Sequence, residues 1–267
     1  MAIGLIIIGD EILSGKRVDQ HFPKVVQLLA ARGLQLAWAE VLGDDPERIT
    51  ATLKRSFASG DIVFCCGGIG ATPDDHTRQA AAAALGLPLV LHEQGKINIQ
   101  QRILQMGAES GQQVDLNSAE NIHRLQMAMF AEGSALIPNP YNNVAGFAIK
   151  NHYFVPGFPV MAHPMMEWVL NRHPERHGAA GPRERSLIVQ GAMEASLTPL
   201  MERIESDFPG IKVFSLPSVD HPQWGRHIEL GVKTPTPFEA ERLQCAYAAL
   251  LAGVREFGAL VCAEMVR

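Results

Sequence analysis

The chain has 267 residues, with 23 Lys and Arg against 28 Asp and Glu, for a formal net charge of −5. At 47% hydrophobic and 19% charged residues it can bury one large core or two modest ones, which excludes disorder for its bulk. No basic run marks a nucleic-acid partner, no apolar stretch reaches the ~20 residues of a membrane span, and no signal-peptide plan is present.

The apolar, β-branched run at 3–8 predicts a buried strand. Val25, Val26, Leu28 and Leu29 have helical spacing within 19–32, and Gly33 supplies the stop. A strand is predicted over 34–42. Asp45-Pro46-Glu47 opens a helix carried by Ile49, Leu53 and Phe57 and closed by Gly60. The run DIVFCC at 61–66 is another buried strand, and glycine-rich 67–75 leads from it into an Ala-rich helix over 73–85. Such alternation implies right-handed crossovers and a mainly parallel sheet. Next come a short strand at 88–91, a helix at 94–106 and a polar surface excursion at 107–118. Short strands near 134–138, 147–150 and 152–155 precede a helix over 160–170.

Composition shifts at 172–184, a Pro, Gly and charge-rich stretch without periodicity that reads as a domain boundary. It separates an α/β domain (1–172) from a small α+β domain (185–267). The latter reads as strand 186–193, helix 197–207, strands 212–217 and 227–233, helix 237–257 and strand 259–262, the ferredoxin-like order. Its two middle strands offer a single aromatic, Phe214, which argues against base stacking on RNA.

The chemistry concentrates in Gly67-Gly68-Ile69-Gly70-Ala71-Thr72-Pro73-Asp74-Asp75-His76-Thr77. Glycines let a backbone approach a ligand, and a helix start offers free N–H groups to an anion. The stretch is neither a Walker loop nor G-x-G-x-x-G. A purely structural reading also fits, with Thr72 as cap, Pro73 at the first helical position and Asp75 completing a capping box. Asp74 and Asp75 would repel a bare phosphate, so the functional reading is a metal–phosphate site bridged by a divalent cation. Gly9-Asp10-Glu11-Ile12-Leu13-Ser14-Gly15 and Gly43-Asp44-Asp45 also follow strands. In an open parallel sheet all such ends meet at one edge. Gly157, between Pro156 and Phe158-Pro159, is a fourth strand-end turn.

Other candidates read as structural. No H-E-x-x-H motif is present, His173 and His177 fall in the boundary stretch, and His76 suits an exposed helix position. Ser14 lacks a G-x-S-x-G elbow. Cys65 and Cys66 suit a buried strand. With Cys245 and Cys262 they form no C-x-x-C pair or secreted framework, so a cytoplasmic protein is expected.

These clusters, in this order, resemble the molybdopterin-binding fold family, which includes MoaB, Mog and the N-terminal part of CinA proteins. The CinA form reads G-T-E-L-L-x-G, V-G-D-N, G-G-L-G-P-T-x-D-D-x-T, N-P-x-G-x-A-P-G and P-G-x-P-x-E. The matching stretches begin at Gly9, Leu42, Gly67, Asn139 and Pro156, and the resemblance covers nearly the whole chain. Asp10 stands for Thr, Ala71 for the loop proline, Asn142, Val144 and Ala145 for Gly, Ala and Pro, and Met161 for Glu. The resemblance implies a three-layer α/β domain and a CinA form without its C-terminal deamidase domain.

It further implies a small phosphorylated pterin (molybdopterin) or adenine nucleotide as ligand, a divalent metal (Mg, Mn or Co), and cleavage or transfer at a pyrophosphate, in a protein that self-associates. Gly67, Gly68, Gly70 and Thr72 would contact phosphate, with Gly9, Glu11 and Gly157 beside them. Asp75 and Asp44 would act in catalysis, and Asp75, Asp74 and Asp45 at the metal.

Overall fold

The computed structural model describes residues 2–111, 113–173, 184–234 and 240–267. The chain divides into two compact units, 1–177 and 178–267; the expected boundary stretch lies almost wholly outside the described residues, as does His177.

The strands of the first unit are β1 (Ile3–Ile8), β2 (Trp38–Leu42), β3 (Ile62–Cys66), β4 (Leu89–Leu91), β5 (Met129–Ala131), β6 (Ala135–Ile137), β7 (Gly146–Ile149) and β8 (His152–Val155). Six of them form one sheet in the order β2-β1-β3-β8-β7-β6, in which β7 alone runs against the others. The helices are α1 (Asp10–Leu13), α2 (His21–Ala30), α3 (Pro46–Ser59), α4 (Thr77–Leu85), α5 (Glu93–Ser110), α6 (Ala119–Arg124) and α7 (Pro159–Asn171). All six residues of β1 are buried because helices cover both faces, as a continuous apolar run requires. Ile3, Leu5 and Ile7 pack with Phe64 and Cys66 under α2 and α7; Ile6, Ile8, Val63 and Cys65 pack under α3 and α4. The two adjacent cysteines thus enter opposite cores, as strand alternation dictates. Burial pushes both thiols up.

Several expectations are corrected. The strand expected from residue 34 begins at Trp38, which lies opposite Gly4 of β1. The helix expected over 19–32 spans α2, and Asp19 accepts from the amides of His21 (2.8 Å) and Phe22 (2.9 Å) before it. The helix expected from Pro73 starts at Thr77, since Asp75 bends back into the preceding loop. The polar excursion at 107–118 is helical through Ser110: Arg102 and Gln105 hold Glu109, and Gly111 ends the helix at φ +68°. The strand near 88–91 joins β5 in a separate two-stranded sheet.

The second unit runs β9 (Glu184–Gln190), α8 (Glu194–Asp207), β10 (Lys212–His221), β11 (Gly225–Lys233), α9 (Ala240–Glu256), β12 (Leu260–Val266). Its antiparallel sheet has the order β10-β11-β9-β12, the ferredoxin-like arrangement. Leu187, Val189, Leu230 and Val232 meet Leu197, Ile204, Leu243 and Leu250 in its core. No helix among the described residues is long and apolar enough to cross a membrane.

Candidate functional site

Register brings the carboxyl ends of the central strands level: Ile7 lies opposite Cys66, and Cys66 opposite Val155. The segments that follow are therefore neighbours. Gly9 donates to the Leu42 carbonyl (2.9 Å), and Gly67 donates to that of Val155 (3.0 Å). Between them lies a cleft of about 490 Å³ at the strand ends, where ligands bind in open parallel sheets. Gly9, Glu11, Asp44, Gly67, Gly68, Gly70, Thr72, Asp74, Asp75 and Gly157 all line it. Asp45 does not: its carboxylate accepts from the Arg48 amide (2.7 Å) and caps α3.

The glycine loop is held from behind. Gly67 and Gly68 have φ of +105° and +65°, values natural to glycine. The Thr77 hydroxyl donates to the Gly67 carbonyl (2.9 Å) and its amide to that of Gly68 (3.0 Å). Arg78 donates to the Gly70 carbonyl, and His123 Nε2 donates to that of Ala71 (2.7 Å). With its carbonyls turned outward to these partners, the loop keeps amides for its interior.

Asp75 meets those amides itself. Its Oδ1 accepts from Gly70 N–H (2.9 Å), and its Oδ2 from the Thr72 amide (2.8 Å) and hydroxyl (2.5 Å). The bond from the Thr72 amide is the one a capping box would make, but no helix opens there, and the added bond from Gly70 turns it into a clasp across the loop. Asp75→Ala removes three bonds in a partly exposed place. It is expected to cost about 1–2 kcal/mol and to speed hydrogen exchange at Gly70 and Thr72, whereas Asp75→Asn, which keeps an acceptor, costs less. Equal urea midpoints for the two variants would contradict the clasp.

Asp10 and Asp44 exchange bonds between the first two clusters. Asp44 Oδ2 accepts from the Asp10 amide (2.8 Å), and Asp10 Oδ1 from the Asp44 amide (3.3 Å). Partial burial raises the Asp44 pKa, and the charges of Asp10, Glu11 and Asp74 add to that rise, while the Asp10 amide opposes it. This acidic side is short of positive charge. Arg17 is the cation among the lining residues.

Sequence reasoning passed over Arg17, Phe158, Arg78, His123 and His21. Arg78 is 2% exposed; its position one helical turn beyond Asp75 was the available signal. His21, also buried, donates from Nε2 to the Gly157 carbonyl (3.1 Å) and so ties α2 to the cleft turn. Nothing local in the sequence reports that contact, which spans 136 positions.

Residues 4–175 match the family described as "Probable molybdopterin binding domain". A CinA-like protein of Geobacter metallireducens is 31% identical over 80% of this chain and 51% of its own length. Another, from Syntrophotalea carbinolica, is 30% identical over 77% and 50%. The chain spans about half the length of these curated relatives. A protein of Pyrobaculum calidifontis is 27% identical over 89% of both chains. Among solved structures, a CinA protein from Thermoplasma acidophilum shares the fold, with a TM-score of 0.54 and 23% identity over 64% of this chain and 98% of that one. On the match across residues 4–175, with the CinA-like relatives beside it, the chain belongs to the molybdopterin-binding domain family.

Proposed function

We propose that the cleft binds a small phosphorylated pterin or nucleotide together with a divalent cation, and that the protein cleaves or transfers at a pyrophosphate of that ligand. One observation carries this reading: Glu11, Asp44, Asp74 and Asp75 share a single cleft with the glycine loop. Carboxylates there repel a bare phosphate, and a cation between them removes the conflict.

The donor set suits a cation shared with the ligand. Among the described residues no three His, Cys, Asp or Glu side chains converge into a metal site of their own. Mg²⁺ characteristically takes one or two carboxylates and completes its shell with phosphate oxygens and water. Asp44 and Asp74 would supply such carboxylates, and Asp75 Oδ1, with one bond made, has a lone pair left. When bound, the cation would neutralise charge on the pyrophosphate. The loop amides not already bonded to Val155 or Asp75 would orient the phosphate chain, and Arg17 would face its charge across the cleft.

Incubation with ADP-ribose, FAD and ATP, with and without Mg²⁺, Mn²⁺ or Co²⁺, tests the reading. Metal-dependent turnover supports it, and equal binding without metal contradicts it. Binding without turnover across the panel leaves a non-catalytic ligand sensor, which the lack of a preformed metal set would favour.

Asp44→Asn separates stability from function. A carboxyl whose folded pKa is raised costs stability once ionised, so stability rises as pH falls through that pKa. Asparagine keeps an acceptor for the Asp10 amide and removes the repulsion. At neutral pH it is expected to raise stability by up to ~1 kcal/mol, about 2 °C in Tm, while metal-dependent binding is lost. A lowered Tm would count against the repulsion.

A further inference from the structure

Beside the cleft lies a second pocket of about 320 Å³, within the range of small-molecule sites. It shares Ile69, Gly70, Pro156 and Phe158 with the cleft, so one ligand can occupy both. We infer that this pocket is a ring subsite whose selectivity is set by Met161 and Asn142: it takes a planar heterocycle that accepts hydrogen bonds along its edge and rejects one that must donate an adjacent pair of N–H groups there. The inference rests on the proposed reading that the cleft holds the same ligand's phosphate, and it narrows that ligand from pterin or nucleotide to an adenine-type nucleotide.

The walls are apolar, with Ile99 and Ile103 of α5 and Met127 and Met161 among them. Two exposed aromatics, Tyr141 and Phe158, also line it and can stack on a ring. The polar groups offer donors. Arg102 and Arg124 contribute guanidiniums, and none of the described side chains lining the pocket is a carboxylate.

Four acceptors at this pocket are already engaged. Asn142 Oδ1 accepts from the Val144 amide (3.0 Å) and from Asn139 Nδ2 (2.8 Å), and that backbone donor fixes which way its amide points. Asn139 Oδ1 accepts from the Tyr141 amide (3.0 Å), the Val144 carbonyl accepts from Asn139 Nδ2 (3.0 Å), and the Gly70 carbonyl is held by Arg78. Asn142 Nδ2 donates one N–H to Met161 Sδ (3.7 Å), a weak acceptor, which leaves its second N–H for a ligand.

The departures from the CinA form at 142, 144, 145 and 161 all line this one pocket. A glutamate at 161 would add an acceptor for two adjacent N–H groups; the methionine thioether that stands there is a weak acceptor already facing Asn142 Nδ2. A 2-amino-4-oxo ring such as guanine carries that N–H pair, and burying it unpaired costs about 1–3 kcal/mol per group. Adenine offers ring nitrogens as acceptors and has its one amino group free to face solvent.

Calorimetric titration with AMP and GMP in Mg²⁺ provides the test, on the full chain and on Met161→Glu and Met161→Gln, with near-UV circular dichroism checking each fold. The full chain is expected to prefer AMP by at least ~10-fold, the loss of one buried hydrogen bond. Met161→Glu is expected to cut that preference to about threefold or less, or to reverse it, with Met161→Gln between the two. Equal affinities for AMP and GMP in the full chain, displaced by pyrophosphate, overturn the ring assignment and leave the phosphate reading intact. So does a ratio that Met161→Glu leaves unchanged. Saturable binding of neither nucleotide overturns both readings.

Discussion

Replacing Gly67 with alanine is expected to destabilise the first unit by about 2–5 kcal/mol and to abolish ligand binding in the cleft. Two costs combine. At φ +105° a side chain is strained, by roughly 1–2 kcal/mol. A Cβ at this position would also overlap the carbonyl oxygen of Ile8, which belongs to the backbone of β1 and cannot swing aside. Overpacking of that kind costs typically 1–3 kcal/mol, and relief comes only by moving the loop off the strand ends. Gly157→Ala is the control. Its Cβ would make ordinary contact with Gly67 Cα at 3.5 Å, so a loss below about 1 kcal/mol is expected. Comparable drops in Tm for the two variants would refute the account.

His152 is expected to make the first unit acid-labile. Its side chain, 1% exposed, shares a hydrogen bond from Nε2 with the Ser56 hydroxyl of α3, and the ring of Phe57 lies 4.0 Å from its own. Nδ1 is buried without a partner. Burial pushes the imidazole pKa down to about 4; Lys150 adds to the shift, and Asp61 opposes it. The unfolded chain therefore binds this proton near pH 6.5 and the folded chain only near pH 4. Stability is complete above about pH 6.5 and falls as pH drops toward 4, by about 3 kcal/mol. Gln at 152 can still partner Ser56 but does not titrate. Hydrogen exchange at the β8 amides, followed from pH 7 to pH 4, isolates this unit from the other. A slope unchanged in His152→Gln would dismiss the prediction.

Legibility in the sequence followed the range of the interaction. The strands at 3–8 and 61–66 were readable because two-sided burial leaves unbroken apolar runs, and the start of α3 was readable because Asp45, Pro46 and Gly60 act within a few residues. The start of α4 was misread for a related reason. Thr72, Pro73 and Asp75 have the spacing of a helix cap, and Asp75 does accept from the Thr72 amide, but it also accepts from Gly70, and the helix opens only at Thr77. Local chemistry offered two solutions, and packing of Arg78 and Thr77 behind the loop selected one.

The sequence by itself determined the order of strands and helices apart from α1, α6 and β5, together with the glycine loop and the acidic clusters at strand ends, because these depend on periodicity and on neighbours along the chain. Tertiary structure alone decided which carboxylates share the cleft. Asp44 faces it while adjacent Asp45 caps α3, since the pairing of β2 with β1 brings Asp44 to Asp10 at the strand ends. It also decided that positions 142 and 161, apart in the chain, close on one pocket beside that cleft.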